Sequence, residues 1–215
     1  MRTALLTAAC APVLASGARA QDLAGAGAAL PLPEQPGWLF DLALYQYFVP
    51  GDADYLQPTL TADRGRLHLE ARYNYEDFDT ASVWAGYNLG FGDELSLELT
   101  PMLGAAFGDT FGALLGYRGA LDWGRFELYS EGEYLHDLDD SSDSYFFTWS
   151  ELTVSPVDGL RAGLAVQRTR VYESELNVQR GLLLGLDFER VSFTVNVFNP
   201  DRDDPVWVVA LQAGW

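Results

Sequence analysis

Residues 66–76 read RLHLEARYNYE, and apolar and polar positions alternate through them. Leu67, Leu69, Ala71, Tyr73 and Tyr75 fall on one face of a strand, and His68, Glu70, Arg72, Asn74 and Glu76 on the other. Strand side chains alternate with period 2, so this is a half-buried β-strand. The pattern recurs down the chain with little between copies. From residue 38 it predicts twelve strands, at 38–49, 55–62, 66–75, 81–91, 95–104, 111–122, 125–134, 145–155, 160–170, 177–188, 191–198 and 205–215. Each suits a tilted strand crossing a bilayer core. Ten strands is the alternative count.

The connections alternate in character. Tight ones fall at Arg64-Gly65, Gly92-Asp93, Trp123-Gly124, 156–159 and Glu189-Arg190. Between them come longer or more acidic ones at 51–54, 77–79, 108–109, 136–143, 173–175 and 201–204. An antiparallel barrel with both termini in the periplasm sorts its connections in this way, with short turns on one rim and longer loops outside.

Followed through the tight turns, one face stays apolar. It carries Phe40, Leu42 and Leu44; Val83, Ala85, Tyr87 and Leu89; Leu95, Leu97 and Leu99; Leu160, Ala162, Leu164 and Val166; Leu182, Leu184 and Leu186; Val191, Phe193, Val195 and Val197. Rings gather at its ends, with Phe91, Trp123, Phe126, Phe188 and Trp215 at the turn side. Tyr73, Tyr75, Tyr134 and Trp207 mark the loop side. Girdles at headgroup level look like this.

The opposite face holds Glu70, Arg72, Glu98, Arg118, Glu127, Glu131, Glu133, Glu151, Arg161 and Asp187. Packed against a second sheet, these ions would cost several kcal/mol for each one left unpaired. A lumen with water and cross-strand ion pairs tolerates them. The polar face therefore decides for an all-β, up-and-down transmembrane barrel over a soluble sandwich.

Composition adds export and charge. Arg2, the small apolar run 4–14 and Ala18-Arg19-Ala20 form a secretory signal over 1–20, with cleavage before Gln21. Acylation of Cys10, the single cysteine, is the less favoured alternative. Residues 21–37 are rich in Ala, Gly and Pro and form a flexible periplasmic lead, and 38–215 are the barrel. Every basic residue is arginine, and loss of Arg2 and Arg19 leaves 11 arginines against 31 acids, a net charge of −20. That balance argues against nucleic acid as a partner.

The last strand, PVWVVALQAGW, resembles the closing strand of bacterial outer-membrane β-barrel proteins, which typically end in an aromatic residue. Trp207, Val209, Leu211, Ala213 and Trp215 fit that pattern, although phenylalanine is the more usual last residue. With the signal and the strand pattern, the resemblance covers essentially the whole chain. It implies a Gram-negative outer-membrane location, and the barrel-assembly machinery as a partner that reads this closing strand.

Enzymatic barrels of that class use Ser/His/Asn, His/Ser/Glu or Asp/His sets, so the two histidines matter. His68 faces the lumen beside Glu70; His136 stands at the start of an acidic outer loop with Asp137, Asp139 and Asp140. Polar loops contain such residues by default, and no metal-ligand spacing, phosphate loop or nucleophile elbow is present. Neither a cofactor nor catalysis is expected. The lumen is the better candidate: its acids, Asp41 and Asp122 among them, outnumber Arg72, Arg118, Arg125 and Arg161. Carboxylate rings favour cations. The expectation is a small, weakly cation-selective diffusion channel for ions or small hydrophilic solutes. Inward rings at Tyr45, Tyr47, Trp84, Tyr129, Phe147 and Trp149 could instead stack solutes, or fill the lumen and plug it, which would leave a structural or adhesive barrel that interacts with lipopolysaccharide.

On the lipid side, Arg168, Arg170 and Arg180 lie near the outer ends of two adjacent strands. With the connection centred near Ser174, Arg168 faces Arg180, an unfavourable like-charge pair. Snorkelling is the plain explanation. A phosphate site for lipopolysaccharide is the sharper one, since guanidinium groups bind phosphate oxygens bidentately.

Overall fold

The computed structural model describes residues 37–171 and 177–215. The expected signal, almost all of the lead and the connection at 173–175 lie outside them. The strand segments are β1 (Leu39–Phe48), β2 (Tyr55–Arg64), β3 (Leu67–Tyr73), β4 (Thr80–Tyr87), β5 (Leu89–Phe91), β6 (Leu95–Gly108) and β7 (Gly112–Trp123). There follow β8 (Phe126–Asp137), β9 (Tyr145–Val157), β10 (Leu160–Val171), β11 (Asn177–Phe188), β12 (Val191–Phe198) and β13 (Val206–Gly214). Neighbours in sequence pair antiparallel, β13 pairs with β1, and β6 pairs with both β4 and β5.

Segments β4 and β5 are two pieces of one strand. Gly86 pairs with Met102 and Leu89 with Leu99, a single uninterrupted register. Opposite the gap stands Pro101, which has no N–H to give a ladder. The result is a closed up-and-down barrel of twelve strands with no free edge.

The tight connections form one rim, the turn rim. Gly65, Gly92, Gly124 and Gly159 take left-handed φ values of 58°, 82°, 62° and 78° there. At Gly92 glycine is required twice over, because a Cβ would lie 2.0 Å from the Leu95 carbonyl oxygen. The longer connections form the opposite, loop rim. The barrel closes at the turn rim, where Phe40 and Trp215 exchange backbone hydrogen bonds of 3.0 and 2.9 Å and their rings stack.

Leucines of the apolar face point outward: Leu95 is 53 % exposed and Leu184 55 %. A sandwich would have buried them; in a barrel they are the hydrocarbon-facing belt. Three details depart from the sequence expectation. Tyr75 belongs to the interior, not to the girdle: Asn74 takes φ 54°, breaks the alternation, and turns both Tyr75 and Glu76 inward. Strand β8 runs to Asp137, so His136 and Asp137 end a strand rather than open a loop. Lastly, Arg180 pairs with Val166 and Arg168 with Val178, so the two arginines sit diagonally and the direct like-charge opposition is absent.

Candidate functional site in the barrel interior

The interior changes character along the barrel axis. Toward the loop rim it is filled with rings. Tyr47, Phe147, Trp149 and Phe198 are fully buried, and Trp149 meets Phe198 edge-on at 5.0 Å. Toward the turn rim the inward side chains are short acids that reach solvent. Glu98 is exposed, Asp41, Asp122 and Glu127 are half-buried, and the side chains of Asp63 and Asp187 are 31 % and 39 % exposed. This is an acidic vestibule. Asp122 and Glu127 are direct cross-strand neighbours in it, which only a solvated mouth tolerates.

Between the two lies an ion-pair network. Arg72 on β3 bonds Glu70 through Nε and reaches Glu133 on β8 at 2.8 Å, with Glu76 at 3.7 Å. Its guanidinium also lies over the Tyr75 ring at 3.8 Å and the Trp84 ring at 4.7 Å. Arg118 on β7 holds Glu70 at 3.0 Å and Glu131 at 3.5 Å. Tyrosines supply the remaining donors: Tyr75 and Tyr129 to Glu131, and Tyr145 to Glu133 at 2.9 Å. Ser82 donates to Glu76 at 2.6 Å. His68 extends the network to the vestibule, with one ring nitrogen 3.1 Å from Glu70 and the other 2.8 Å from Asp63. Both nitrogens are occupied, so His68 has none to offer as a general base. These contacts join strands far apart around the barrel and strut it from within.

Of the other expected lumen residues, Arg161 makes a fork on Asp187 at 2.7 and 3.1 Å and donates to Thr194 at 3.3 Å. Glu151 is inward and 2 % exposed. Arg125 is not in the lumen: it is exposed at the turn rim, on the carbonyls of Ser155 and Pro156. With Asp63 and Glu76 added, inward carboxylates outnumber the inward arginines Arg72, Arg118 and Arg161 by a wide margin. Tyr145 and Phe198 escaped notice in the sequence, and Tyr75 was expected on the outer face. Alternation from Phe147 and from Thr194 would have found the first two.

His136 faces outward, with its Nδ1 3.5 Å from the Ser144 hydroxyl. Asp137 accepts from the backbone N–H groups of Asp139 and Asp140 at 2.8 Å, which makes it a loop-capping residue. Ser144 is 2 % exposed and donates no approachable hydroxyl to solvent. Arg168, Arg170 and Arg180 are exposed on the outer surface near the loop rim; Arg170 stands opposite the outward Phe146 and Arg168 opposite Thr148. Trp207, Leu211 and Trp215 are exposed on the belt, with Val209 and Ala213 half-buried between them.

No family model and no curated protein matches the sequence. Among solved structures the chain is similar to the KdgM porin, with TM-score 0.57 and 12 % identity over 80 % of this chain and 98 % of that one. The KdgM porin in complex with disordered oligogalacturonate gives 0.55 and 12 % over the same shares. At that identity the likeness is one of fold. The chain has the fold of a porin-type outer-membrane β-barrel.

Proposed function

We propose that this protein is a narrow, weakly cation-selective diffusion channel of the Gram-negative outer membrane, for ions and small hydrophilic solutes. The turn rim lies in the periplasm and the loop rim outside. The observation that carries the reading is the excess of inward carboxylates opening as a solvated vestibule. Fixed negative charge between low-dielectric walls concentrates cations. Oligogalacturonate, which one of the KdgM porin structures holds, is a polyanion and would meet repulsion at this mouth, so polyanions are not the cargo. A second reading, a sealed structural barrel, is favoured by the complete burial of Tyr47, Phe147, Trp149 and Phe198. Conductance of the refolded protein in planar bilayers decides between them. A small conductance with a reversal potential on the cation side is the expected result. Folded, inserted protein without conductance establishes the sealed barrel.

Two partners belong to the same reading. The closing strand, Trp207 to Trp215, is the segment offered to the barrel-assembly machinery. Arg168, Arg170 and Arg180 stand at the height of lipopolysaccharide phosphates on the outer leaflet and are placed to bind them.

A further inference from the structure

Inside the barrel, polar side chains divide by wall. Those of β3, β4, β7 and β8 largely satisfy one another. On the strands outside that group several are buried and unsatisfied: both carboxylate oxygens of Glu151 lack a hydrogen bond of normal geometry among the described residues, as do the side-chain oxygens of Gln57, Thr59 and Asn196. The indole Nε1 of Trp149, two positions back on the strand of Glu151, also lacks a partner in bonding geometry, so any contact between the two is weak. Exposures of 0 to 2 % put Glu151, Gln57, Thr59 and Asn196 inside the barrel, on β9, β2 and β12. Buried acceptors without donors are rare in folded proteins, and where they occur a ligand or ordered solvent is the usual reason. An unpaired buried carboxylate is the most costly of them.

Resting on the channel reading above, we propose that Glu151 is the ion-binding and selectivity-determining residue of the lumen, taking a monovalent cation at the base of the acidic vestibule. Three observations converge on it. Glu151 lies between the half-buried Glu127 on the adjacent strand and the packed rings of Phe147 and Trp149 on its own strand, and the carboxylates farther in on that side, Glu131 and Glu133, are already taken by arginines and tyrosines. Arg161, an inward cation whose charge reaches Glu151, turns Nε and Nη2 to Asp187 and Thr194, and its Nη1 makes no hydrogen bond to Glu151. Elsewhere in the interior, on β2 and β12, the buried oxygens of Thr59, Gln57 and Asn196 are neutral acceptors without donors. A divalent ion asks for several oxygen ligands at once, and no such group of acids exists among the described residues. One carboxylate in an interior that otherwise offers neutral oxygens matches a single charge that must also be released.

The test uses the full chain, refolded in planar bilayers, with heat-modifiability on gels to certify folding. In the wild type, conductance plotted against KCl concentration should saturate, as occupancy of a site requires; a linear plot overturns the proposal. In a KCl gradient, Glu151→Gln should lower the preference for potassium over chloride by about threefold or more, and Glu151→Asp should keep most of it. A conducting Glu151→Gln barrel with wild-type selectivity removes Glu151 from the role and leaves the channel reading intact. A wild type that never conducts ends both.

Discussion

Arg72 and Glu151 are both ionisable residues buried at mid-barrel, at 4 % and 2 % exposure, yet their surroundings are opposite. Arg72 touches three carboxylates and two aromatic faces. Glu151 accepts no hydrogen bond of normal geometry among the described residues. Polar networks that are fully satisfied rigidify a core, whereas partly satisfied ones must be completed from outside. The strands around Arg72 are therefore built to hold shape, whereas the open acceptors at Glu151 are what the proposed ion site rests on.

The sharpest way to break that contrast is to remove each residue and compare stabilities. Arg72→Met strands Glu133 without its cation, leaves Glu70 to Arg118 and His68, and should cost about 3–5 kcal/mol, the usual result of deleting one partner of a buried pair. Glu151→Gln keeps the shape and removes a buried charge that accepts no hydrogen bond of normal geometry, so it should be neutral or stabilising. Urea unfolding in detergent reads both, and equal losses would erase the distinction between the walls.

Next in size is Trp215→Ala. The substitution leaves the interior alone and removes the ring that stacks on Phe40 and terminates the closing strand. The amount of folded, heat-modifiable barrel in isolated outer membranes should fall several-fold. Unchanged amounts would deny the closing strand its role as an assembly signal.

Smaller effects are expected at the mouth. Neutralising Glu98, Asp122 and Glu127 together should weaken cation preference at low salt and leave it nearly unchanged at 1 M KCl, where the Debye length is about 3 Å. Selectivity that shifted equally at both concentrations would move these residues out of the vestibule and into the constriction. The smallest effect belongs to the exterior. Replacing Arg168, Arg170 and Arg180 by glutamine should reduce lipopolysaccharide co-purification and lower thermal stability only in lipopolysaccharide-containing membranes. Equal loss in plain detergent would mark ordinary cross-strand contacts.

Much of this was legible in the sequence because a barrel strand writes its two faces into alternate positions. Leu67, His68, Leu69 and Glu70 point where period 2 puts them. Glu76 ends on its expected face, but Tyr75 does not follow, since the left-handed Asn74 resets the count and asparagine announces that conformation only weakly. The Arg168–Arg180 register depends on the geometry of one connection, which residue types alone leave open by two positions. Glu127, Glu131 and Glu133 read as one acidic run on one strand. The structure splits them, Glu127 to the mouth and the other two to Arg118, Arg72 and their tyrosines. Their partners come from other strands, 61 positions away for Arg72 and Glu133, and no local pattern carries that information.

The seam between the first and last strands sets the order of events in time. It joins Asp41 to Gly214 and Phe48 to Trp207, the most distant pairings in the chain. Closing a loop of that span costs about 4–5 kcal/mol of chain entropy, on top of a constant, before any of those bonds forms. High contact order of this kind slows folding, and it leaves β1 waiting with a bare edge while every later hairpin forms. Until β13 docks on β1 the strands can form only a curled, open sheet. Whatever receives it must shield the edge of β1 for the whole of that interval, and the first backbone able to replace that shield permanently is the one ending at Trp215.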